Sequence, residues 1–250
     1  MSGHSKWATI KHAKAKTDAQ RGKVFTKIIR EITTAAKIGG GDPGGNPRLR
    51  LSIDKAKAAN MPNDNIKRAV EKGIGGGDSM MEELTYDAYG PGGVALMIEV
   101  MTDNRNRAAG EIRNLLEKGG GNMGASGSVG YLFKRQGSML FDKAGIDEEA
   151  LTMVAIDAGA EDISSDELSL EVVTTPETFE KVRDELKAKG FTPASAEITM
   201  LPSTTVKLTG ETAQKVLKLV GNLEEHDDVQ AVHANFDIPD DEIERISKLS

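Results

Sequence analysis

The N-terminal third of the chain places apolar residues at helical spacing in three stretches, and this pattern predicts three amphipathic helices. The first begins with a capping-box sequence at residues 17–20 and stops at the glycines 39–41. The second begins at Asn46-Pro47, since asparagine caps helices and proline is tolerated at the first helical position, and the third covers 63–73. The apolar stripes consist of Val24, Phe25, Ile28, Ile29, Ile32, Leu49, Ile53, Ala56, Ile66 and Val70. Three such helices predict a small bundle.

Beyond residue 78 the apolar period changes from about 3.6 to 2, which predicts strands. The change follows a Gly-rich stretch, 75–78, that is typical of a flexible linker. The predicted elements are strands near 83–89 and at 94–100, a helix at 104–118, a strand at 139–142, a helix at 147–158, strands near 161 and at 168–174, a helix at 176–189, strands at 191–200 and 204–208, a helix at 211–224 and a strand at 229–238. Residues 139–200 thus follow the order β-α-β-β-α-β of a ferredoxin-like domain.

The last strand, helix and strand supply the β-α-β that the region 80–132 lacks. We therefore predict an α+β, multidomain fold, with an N-terminal three-helix domain followed by two ferredoxin-like α+β domains, one inserted in the other. The two sheet domains should pair through their sheets. The expected bounds are 1–78 for the basic helical domain with its arm and linker, 79–133 and 204–250 for the discontinuous domain, and 134–203 for the inserted domain.

The composition is that of an ordinary folded protein, with 38% hydrophobic and 28% charged residues. The chain has no cysteine, which excludes disulfides, cysteine-based zinc sites and thiol nucleophiles. No apolar run approaches the roughly 18–20 residues that cross a bilayer, and the N-terminal charges are not followed by the apolar stretch of a secretory signal. We expect a cytoplasmic protein without a membrane partner. The sequence carries no signal for an oligomeric state.

Charge is distributed unevenly along the chain. Residues 1–75 carry 16 lysines and arginines against 6 acidic residues, a formal charge of +10, whereas the remaining 175 residues carry 16 against 33, which is −17. This division favours a basic module that binds a polyanion, joined to an acidic body that lies outside the contact. The alternative is a chance clustering of charges on a solvated helical surface.

The first 16 residues, MSGHSKWATIKHAKAK, hold four lysines, two histidines and the only tryptophan, with no acidic residue. Four ammonium groups cannot be buried without partners, so this segment is interpreted as a basic arm that docks on something. Trp7 can stack on a base or cover apolar surface. The alternative is a solvated, fraying terminus.

The segment 102–107 joins a predicted strand to a predicted helix that Asp103 or Asn104 can cap. Arg105 and Arg107 then lie in the first turn, where the helix dipole disfavours cations. Cations at this position suit an anion such as phosphate, although both arginines could instead pair with nearby Asp or Glu. The candidate nucleic-acid-binding residues of the whole chain are Lys6, Trp7, Lys11, His12, Lys14, Lys16, Arg21, Lys23, Lys27, Arg30, Arg48, Arg50, Arg105 and Arg107.

The remaining motifs do not predict catalysis or a cofactor. Residues 119–124 match G-x-G-x-x-G, but they follow a helix, whereas a dinucleotide-binding loop follows a strand, so we expect a flexible loop that a partner's backbone approaches closely. His4 and His12 lie among lysines that repel a cation, and His226 and His233 lie far away in the sequence, so no metal site is expected. No carboxylates form an identifiable acid–base pair.

Distinct motifs along the whole chain carry a family resemblance. They are GHSKW at 3–7, IKHAK at 10–14, RGK at 21–23, FTK at 25–27, RE at 30–31, GGNPRLR at 44–50, AANMP at 58–62, NI at 65–66, YD at 86–87, YGPGG at 89–93, TDNRNR at 102–107 and GSV at 127–129. With these motifs the sequence closely resembles the YebC/PmpR family. The resemblance implies a helical N-terminal domain plus two α+β domains, and no enzymatic activity.

The resemblance also implies a role in gene expression, with two descriptions that share a polyanion. Members are described as DNA-binding transcriptional regulators, which is the first expectation for this chain. The alternative is a ribosome-associated translation factor that binds ribosomal RNA and relieves stalling, because mitochondrial relatives activate translation and bacterial members are linked to ribosomes stalled at proline runs. No helix shows a helix-turn-helix signature, and a basic arm with a tryptophan suits unpaired RNA at least as well as a duplex. A scaffold that binds proteins through its acidic sheets is a third class, which leaves the arm unexplained.

Overall fold

The computed structural model describes residues 18–75, 81–166 and 168–249. Its helices are α1 Asp18–Gly39, α2 Pro47–Ala58, α3 Asn63–Ile74, α4 Arg105–Lys118, α5 Glu148–Ala158, α6 Phe179–Ala188, α7 Gly210–Glu224 and α8 Asp240–Leu249. Its strands are β1 Glu82–Tyr89, β2 Ala95–Thr102, β3 Asn122–Met123, β4 Phe133–Asp142, β5 Asp162–Ser165, β6 Ser169–Thr174, β7 Ser195–Pro202, β8 Val206–Lys207, β9 Val229–Ala234 and β10 Phe236–Asp237. None of these helices is long and apolar enough to span a membrane. The predicted capping box needs Thr17 and the Gln20 side chain, which lie outside the described part of the chain.

Helices α1, α2 and α3 form a three-helix bundle with a core of its own. Ile32 and Leu49 are fully buried at its centre. Asn46 fixes the turn between α1 and α2, because its Oδ1 accepts a hydrogen bond from the Leu49 N–H at 3.1 Å and caps α2. Its Nδ2 donates to the carbonyls of Ala35 and Gly40, each at 2.8 Å. One side chain therefore satisfies the end of one helix and the start of the next.

Residues 133–202 fold as a four-stranded antiparallel sheet in the order β5-β6-β4-β7, with α5 and α6 packed on one face. This is the strand order of the ferredoxin-like domain that the sequence predicted. Its core is apolar and fully buried, with Met139, Phe141 and Val172 from the sheet and Leu151 and Phe179 from the helical side.

The other large sheet has the order β3-β1-β2-β9, and its strands come from both sides of residues 133–202. Helices α4 and α7 cover one face, where Ile98, Ile112 and Val216 are fully buried. The strand predicted at 204–208 differs, because it spans only Val206–Lys207 and pairs in parallel with β10 in a separate two-stranded sheet. The α+β multidomain fold is confirmed, and we keep the residue bounds of its three domains as a proposal.

The two large sheets meet through a small mixed interface. Its apolar part contains Ala95, Met97, Val129 and Phe133. Beside it, the buried ring of His233 places Nδ1 at 3.3 Å from the Thr199 Oγ1 and Nε2 at 3.2 Å from the Glu99 Oε1. The hydrogen bond with His233 is the main reason why the pKa of Glu99 lies below its ordinary value. The pairing of the sheet domains thus combines apolar burial with a hydrogen-bonded chain of three side chains.

Candidate nucleic-acid interface

Half of the predicted binding residues belong to the arm or lie next to it. Lys6, Trp7, Lys11, His12, Lys14 and Lys16 lie outside the described residues, and so does the side chain of Arg21. Their role stays a prediction from the sequence. The candidates that the structure places are Lys23, Lys27, Arg30, Arg48, Arg50, Arg105 and Arg107.

The first three of these cations lie on one face of α1, because they are spaced by four and then three residues. That face lies against the C-terminal end of α7. The donor–acceptor pairs are Lys23 Nζ with the Glu225 carbonyl at 3.3 Å, Lys27 Nζ with the Glu224 carbonyl, and Arg30 Nη1 with the Asp227 carbonyl. We call these contacts, together with the ion pair between Arg30 and Asp228, the α1–α7 latch.

The end of α7 attracts cations for two reasons. The last carbonyls of a helix lack partners inside the helix, and the helix dipole places partial negative charge there. The last turn of α7 contains no basic residue, and Glu224 and Glu225 add negative charge at the same place. The compensating cations therefore come from another part of the chain, and α1 provides them.

Asp228 connects the latch to α4. Its side chain is 5% exposed and accepts hydrogen bonds from the Arg30 guanidinium at 3.0 Å, the Arg107 guanidinium at 2.8 Å and the Thr102 hydroxyl at 2.9 Å. Burial by itself would raise the pKa of Asp228. The hydrogen bonds from Arg107, Thr102 and Arg30 outweigh burial, so the pKa lies below that of an ordinary carboxyl. One ionised carboxylate thus holds cations from two separate helices.

We expect the substitution Asp228→Asn to lower stability near neutral pH and to have little effect in acid. A carboxyl with a depressed pKa stabilises the fold above its ordinary pKa of about 3.9, and this stabilisation is lost as the pH falls through the lower folded value. The urea midpoints of wild type and variant, followed by circular dichroism, should therefore converge below about pH 4. An equal difference between the two midpoints at neutral and acidic pH would contradict this account.

Arg105 and Arg107 have different surroundings, although both lie in the first turn of α4. Asn104 caps this helix, since its Oδ1 accepts a hydrogen bond from the Arg107 N–H at 3.1 Å. The Arg107 guanidinium is paired with Asp228 at 2.8 Å and with Asp103 at 2.9 Å, and these hydrogen bonds raise the pKa of Arg107. The exposed side chain of Arg105 forms no ion pair with another described residue. Arg105 is thus accessible to an external anion, whereas Arg107 is neutralised by its own chain.

Arg48 and Arg50 on α2 are also paired with carboxylates. The Arg48 guanidinium lies 2.8 Å from Glu31 of α1 and 2.8 Å from Glu83 of β1. The Arg50 guanidinium contacts both carboxylate oxygens of Glu180 on α6, at 3.0 and 2.9 Å. Hydrogen bonds with Glu31 and Glu180, respectively, raise the pKa values of Arg48 and Arg50. Part of the charge division along the sequence therefore serves contacts between domains, a use that the sequence did not reveal.

Other cations of the bundle face solvent. Their side chains are exposed and form no ion pair with other described residues: Lys37, Lys57, Lys67, Arg68 and Lys72. They lie at the end of α1, at the end of α2 and along α3. Together with Arg105, they are positions where the described part of the chain presents positive charge to an external partner.

Glu111, His226 and Asp228 lie in a cleft of about 520 Å³, close enough together to raise the question of a metal site. The Asp228 N–H donates to the His226 Nδ1 at 3.1 Å, so a neutral ring carries its proton on Nε2, which faces Glu111 at 2.8 Å. A protonated Nε2 cannot ligate a metal ion. A cation would also have to displace Arg30 and Arg107 from the Asp228 carboxylate. This hydrogen-bond pattern fits an ion-pair network and does not fit a metal.

The glycine-rich segment 119–124 differs from the flexible loop that the sequence predicted. A Cβ atom on Gly119 would lie 2.6 Å from the Leu219 Cδ1, and one on Gly121 would lie 2.5 Å from the Tyr89 carbonyl oxygen. Residues 122–123 form β3 and pair with β1. The backbone that approaches these glycines belongs to the same chain, so close packing on β1 and α7 explains them without a ligand.

Comparison with known protein families covers nearly the whole chain. The model of the TACO1/YebC protein N-terminal domain matches residues 5–76, and the model of the TACO1/YebC second and third domain matches residues 81–236. The chain belongs to the TACO1/YebC family. The resemblance that the sequence motifs carried is thereby confirmed.

Similar proteins match this chain over nearly all of their length. A probable transcriptional regulatory protein of Geotalea uraniireducens is 56% identical over 247 residues, which cover 98% of this chain and 100% of that protein. A protein of the same description from Treponema pallidum is 57% identical over 240 residues, 96% of this chain and 98% of that protein. The crystal structure of a conserved hypothetical protein from Aquifex aeolicus has a TM-score of 0.81 at 49% identity, and the match covers 91% of this chain and 94% of that one. These relatives therefore share the fold, and the curated ones are named as regulators.

Proposed function

We propose that this TACO1/YebC protein is a non-enzymatic, nucleic-acid-binding regulator of gene expression. The observation that carries the proposal is the concentration of positive charge in the N-terminal module, +10 over residues 1–75 against −17 over the rest. The names of the curated relatives, probable transcriptional regulatory proteins, support a regulatory role. In this proposal the arm binds first, and the exposed cations of the bundle add to its positive surface.

DNA is the first candidate target, because the relatives are named after transcription. Ribosomal RNA is the second, and one structural observation favours it. With the latch closed, the cationic face of α1 lies against α7, so this helix does not present its cations as a reading face for the major groove at the first encounter. A basic arm with Trp7 can instead stack on unpaired bases, which RNA offers in loops and bulges. The relatives compared above come from bacteria, in which DNA and ribosomes both lie in the cytoplasm, so we propose that the chain acts there.

The two candidates differ in a binding experiment with full-length protein. We expect a fluorescently labelled nucleic acid of about 20 nucleotides to bind with strong salt dependence, as measured by anisotropy. Tighter binding of the duplex DNA than of single-stranded RNA with the same sequence would support the transcriptional role, and the reverse order would support the ribosomal one. Absence of binding to either probe at about 50 mM salt would overturn both.

The histidines and Asp228 of the described chain are engaged in contacts within the fold. His226 is hydrogen-bonded on both ring nitrogens, and His233 has a partner near each of its own. The carboxylate of Asp228 is held by two arginines and a hydroxyl. These side chains make contacts between elements of the fold, and structural ion-pair networks of this kind also shift pKa values.

A further inference from the structure

The helical bundle is joined to the rest of the chain mainly through charged groups. Its apolar core is separate from those of the two sheet domains. Among the described residues, Leu51 packs against the core of the inserted domain, and the Thr34 hydroxyl lies 3.3 Å from the buried Met101 Sδ of β2. The charged contacts are the α1–α7 latch, Arg48 with Glu83, Arg50 with Glu180, Lys55 with Glu197, and Asp54 with Arg183. Apart from the pair at Asp228, whose side chain is 5% exposed, these charges are partly exposed, and such contacts are individually weak and are screened by salt. The described part of the interface is therefore one that a competing polyanion can disrupt.

The cations of the latch have two alternative partners. Lys23, Lys27 and Arg30 were predicted to bind phosphates, and in the structure the same three side chains donate to the end of α7 and to Asp228. A helix C-terminus carries roughly half a negative charge. A nucleic-acid strand carries a full negative charge on each phosphate, about every 3.4 Å along each strand of a duplex. At the latch, the carboxylates of Glu224, Glu225 and Asp228 add to the charge of the helix end. A nucleic-acid backbone therefore competes for this row of cations through the number of its phosphates and the release of its condensed counterions.

We propose that the α1–α7 latch is an autoinhibitory contact that a nucleic-acid backbone opens by taking over the cations of α1. The inference rests on the proposed function and adds its regulation. The arm makes the first contact, the polyanion then displaces the end of α7 and Asp228, and α1 contributes its cations to the bound state. Until then, these cations are occupied and contribute no affinity for weakly bound polyanions.

Asp228 is the residue at which the latch can be weakened without touching a predicted phosphate ligand. A carboxylate does not bind a phosphate, so Asp228→Asn changes the competing partner of Arg30 and leaves the cations in place. The variant also releases Arg107, and the energy-transfer measurement below separates opening of the latch from that release. We expect this variant to bind single-stranded RNA and duplex DNA about three- to tenfold more tightly than wild type, because a larger fraction of the protein is open. The matched control is Asp157→Asn on α5, which removes the same charge at an exposed position outside the latch.

Opening can be measured directly, because the chain has no cysteine to interfere with labelling. Donor and acceptor dyes are placed on cysteines that replace Asn63 on α3 and Gln214 on α7, both exposed and uncharged. We expect the energy transfer between them to change when salt is raised, when a saturating 20-nucleotide RNA or duplex DNA is added at low salt, and when Asp228→Asn is introduced. Asp157→Asn should give the energy transfer of wild type.

The outcomes separate this inference from the proposed function. Two results together support the latch. Nucleic acid binds and changes the energy transfer, and Asp228→Asn binds more tightly than wild type whereas Asp157→Asn does not. Nucleic-acid binding that leaves the energy transfer unchanged overturns the latch and leaves the proposed function standing. An equal gain in affinity for Asp228→Asn and Asp157→Asn overturns it as well, because the effect is then one of net charge. If neither wild type nor Asp228→Asn binds either probe, the proposed function is wrong. The proposed competition between nucleic acid and α7 for the cations of α1 is then wrong as well.

Discussion

Replacing Lys6, Lys11, Lys14 and Lys16 with glutamine lowers the affinity for nucleic acid by about a hundred- to a thousandfold at about 100 mM salt. Each lysine that neutralises a phosphate releases condensed counterions and adds about 0.7 to 0.9 to the slope of log affinity against log salt. Loss of four such contacts should therefore flatten that slope by roughly three to four. Anisotropy titrations with full-length protein over a series of salt concentrations measure both quantities.

A control with the same change in net charge shows whether the arm is the cause. Lys181, Lys187, Lys189 and Lys218 have exposed side chains in the acidic body, outside the predicted interface. Their replacement with glutamine should change the affinity by less than about threefold and leave the salt slope as in wild type. Equal losses in the two quadruple variants would show that total charge, rather than the arm, governs binding.

The substitution Gly137→Ala destabilises the inserted sheet domain strongly, although alanine normally suits a strand better than glycine does. A Cβ atom on Gly137 would overlap the Thr174 Oγ1 and the Phe179 ring, and it would lie 3.1 Å from the Phe179 Cβ. Phe179 is fully buried in the domain core, so it cannot move aside without disturbing its neighbours. We expect a loss of about 2–3 kcal/mol, which lowers the unfolding temperature of this domain by roughly 10 °C. Differential scanning calorimetry measures the shift.

Gly130→Ala is the matched control, because no atom lies within 4 Å of the position that its Cβ would take. This variant should unfold within about 0.5 kcal/mol of wild type. If Gly137→Ala were as stable as Gly130→Ala, the packing of Phe179 directly over β4 would be wrong.

Local signals in the sequence were sufficient for several helix starts. Asn46 was predicted as a cap, and for the helix at 104–118 the sequence left Asp103 and Asn104 as alternatives. Asn46 and Asn104 each accept a hydrogen bond from the backbone N–H three residues later. Strand β4 shows where such signals end, because it starts at Phe133 rather than at the predicted residue 139. The polar residues 134–136 interrupt the apolar alternation from which strands were predicted. This first half of β4 is stabilised by backbone pairing with β7 rather than by apolar side chains. Helix α8 was not predicted at all, although it buries Ile243 and Ile246 against the core.

The sequence identifies the basic residues, but it does not show which groups their side chains contact. Lys23, Lys27 and Arg30 face backbone carbonyls at the end of α7, and a carbonyl acceptor has no signature in the amino-acid sequence. For the arginines at 105 and 107 the sequence left two interpretations open. The structure pairs Arg107 with Asp228, which is far away along the chain, and leaves Arg105 exposed. Such long-range pairings depend on how the domains dock. Apolar periodicity and charge counts do not predict that docking.

The central claim, that the N-terminal module binds nucleic acid, is tested most directly by crosslinking in growing cells. The protein is crosslinked, the bound nucleic acid is sequenced, and the experiment is repeated with residues 1–16 deleted. The account predicts a defined set of bound sites, on promoter DNA for the transcriptional role or on ribosomal RNA for the ribosomal one, and the loss of these sites on deletion. The same sites recovered with and without the arm, or no enrichment of nucleic acid by either protein, would contradict it.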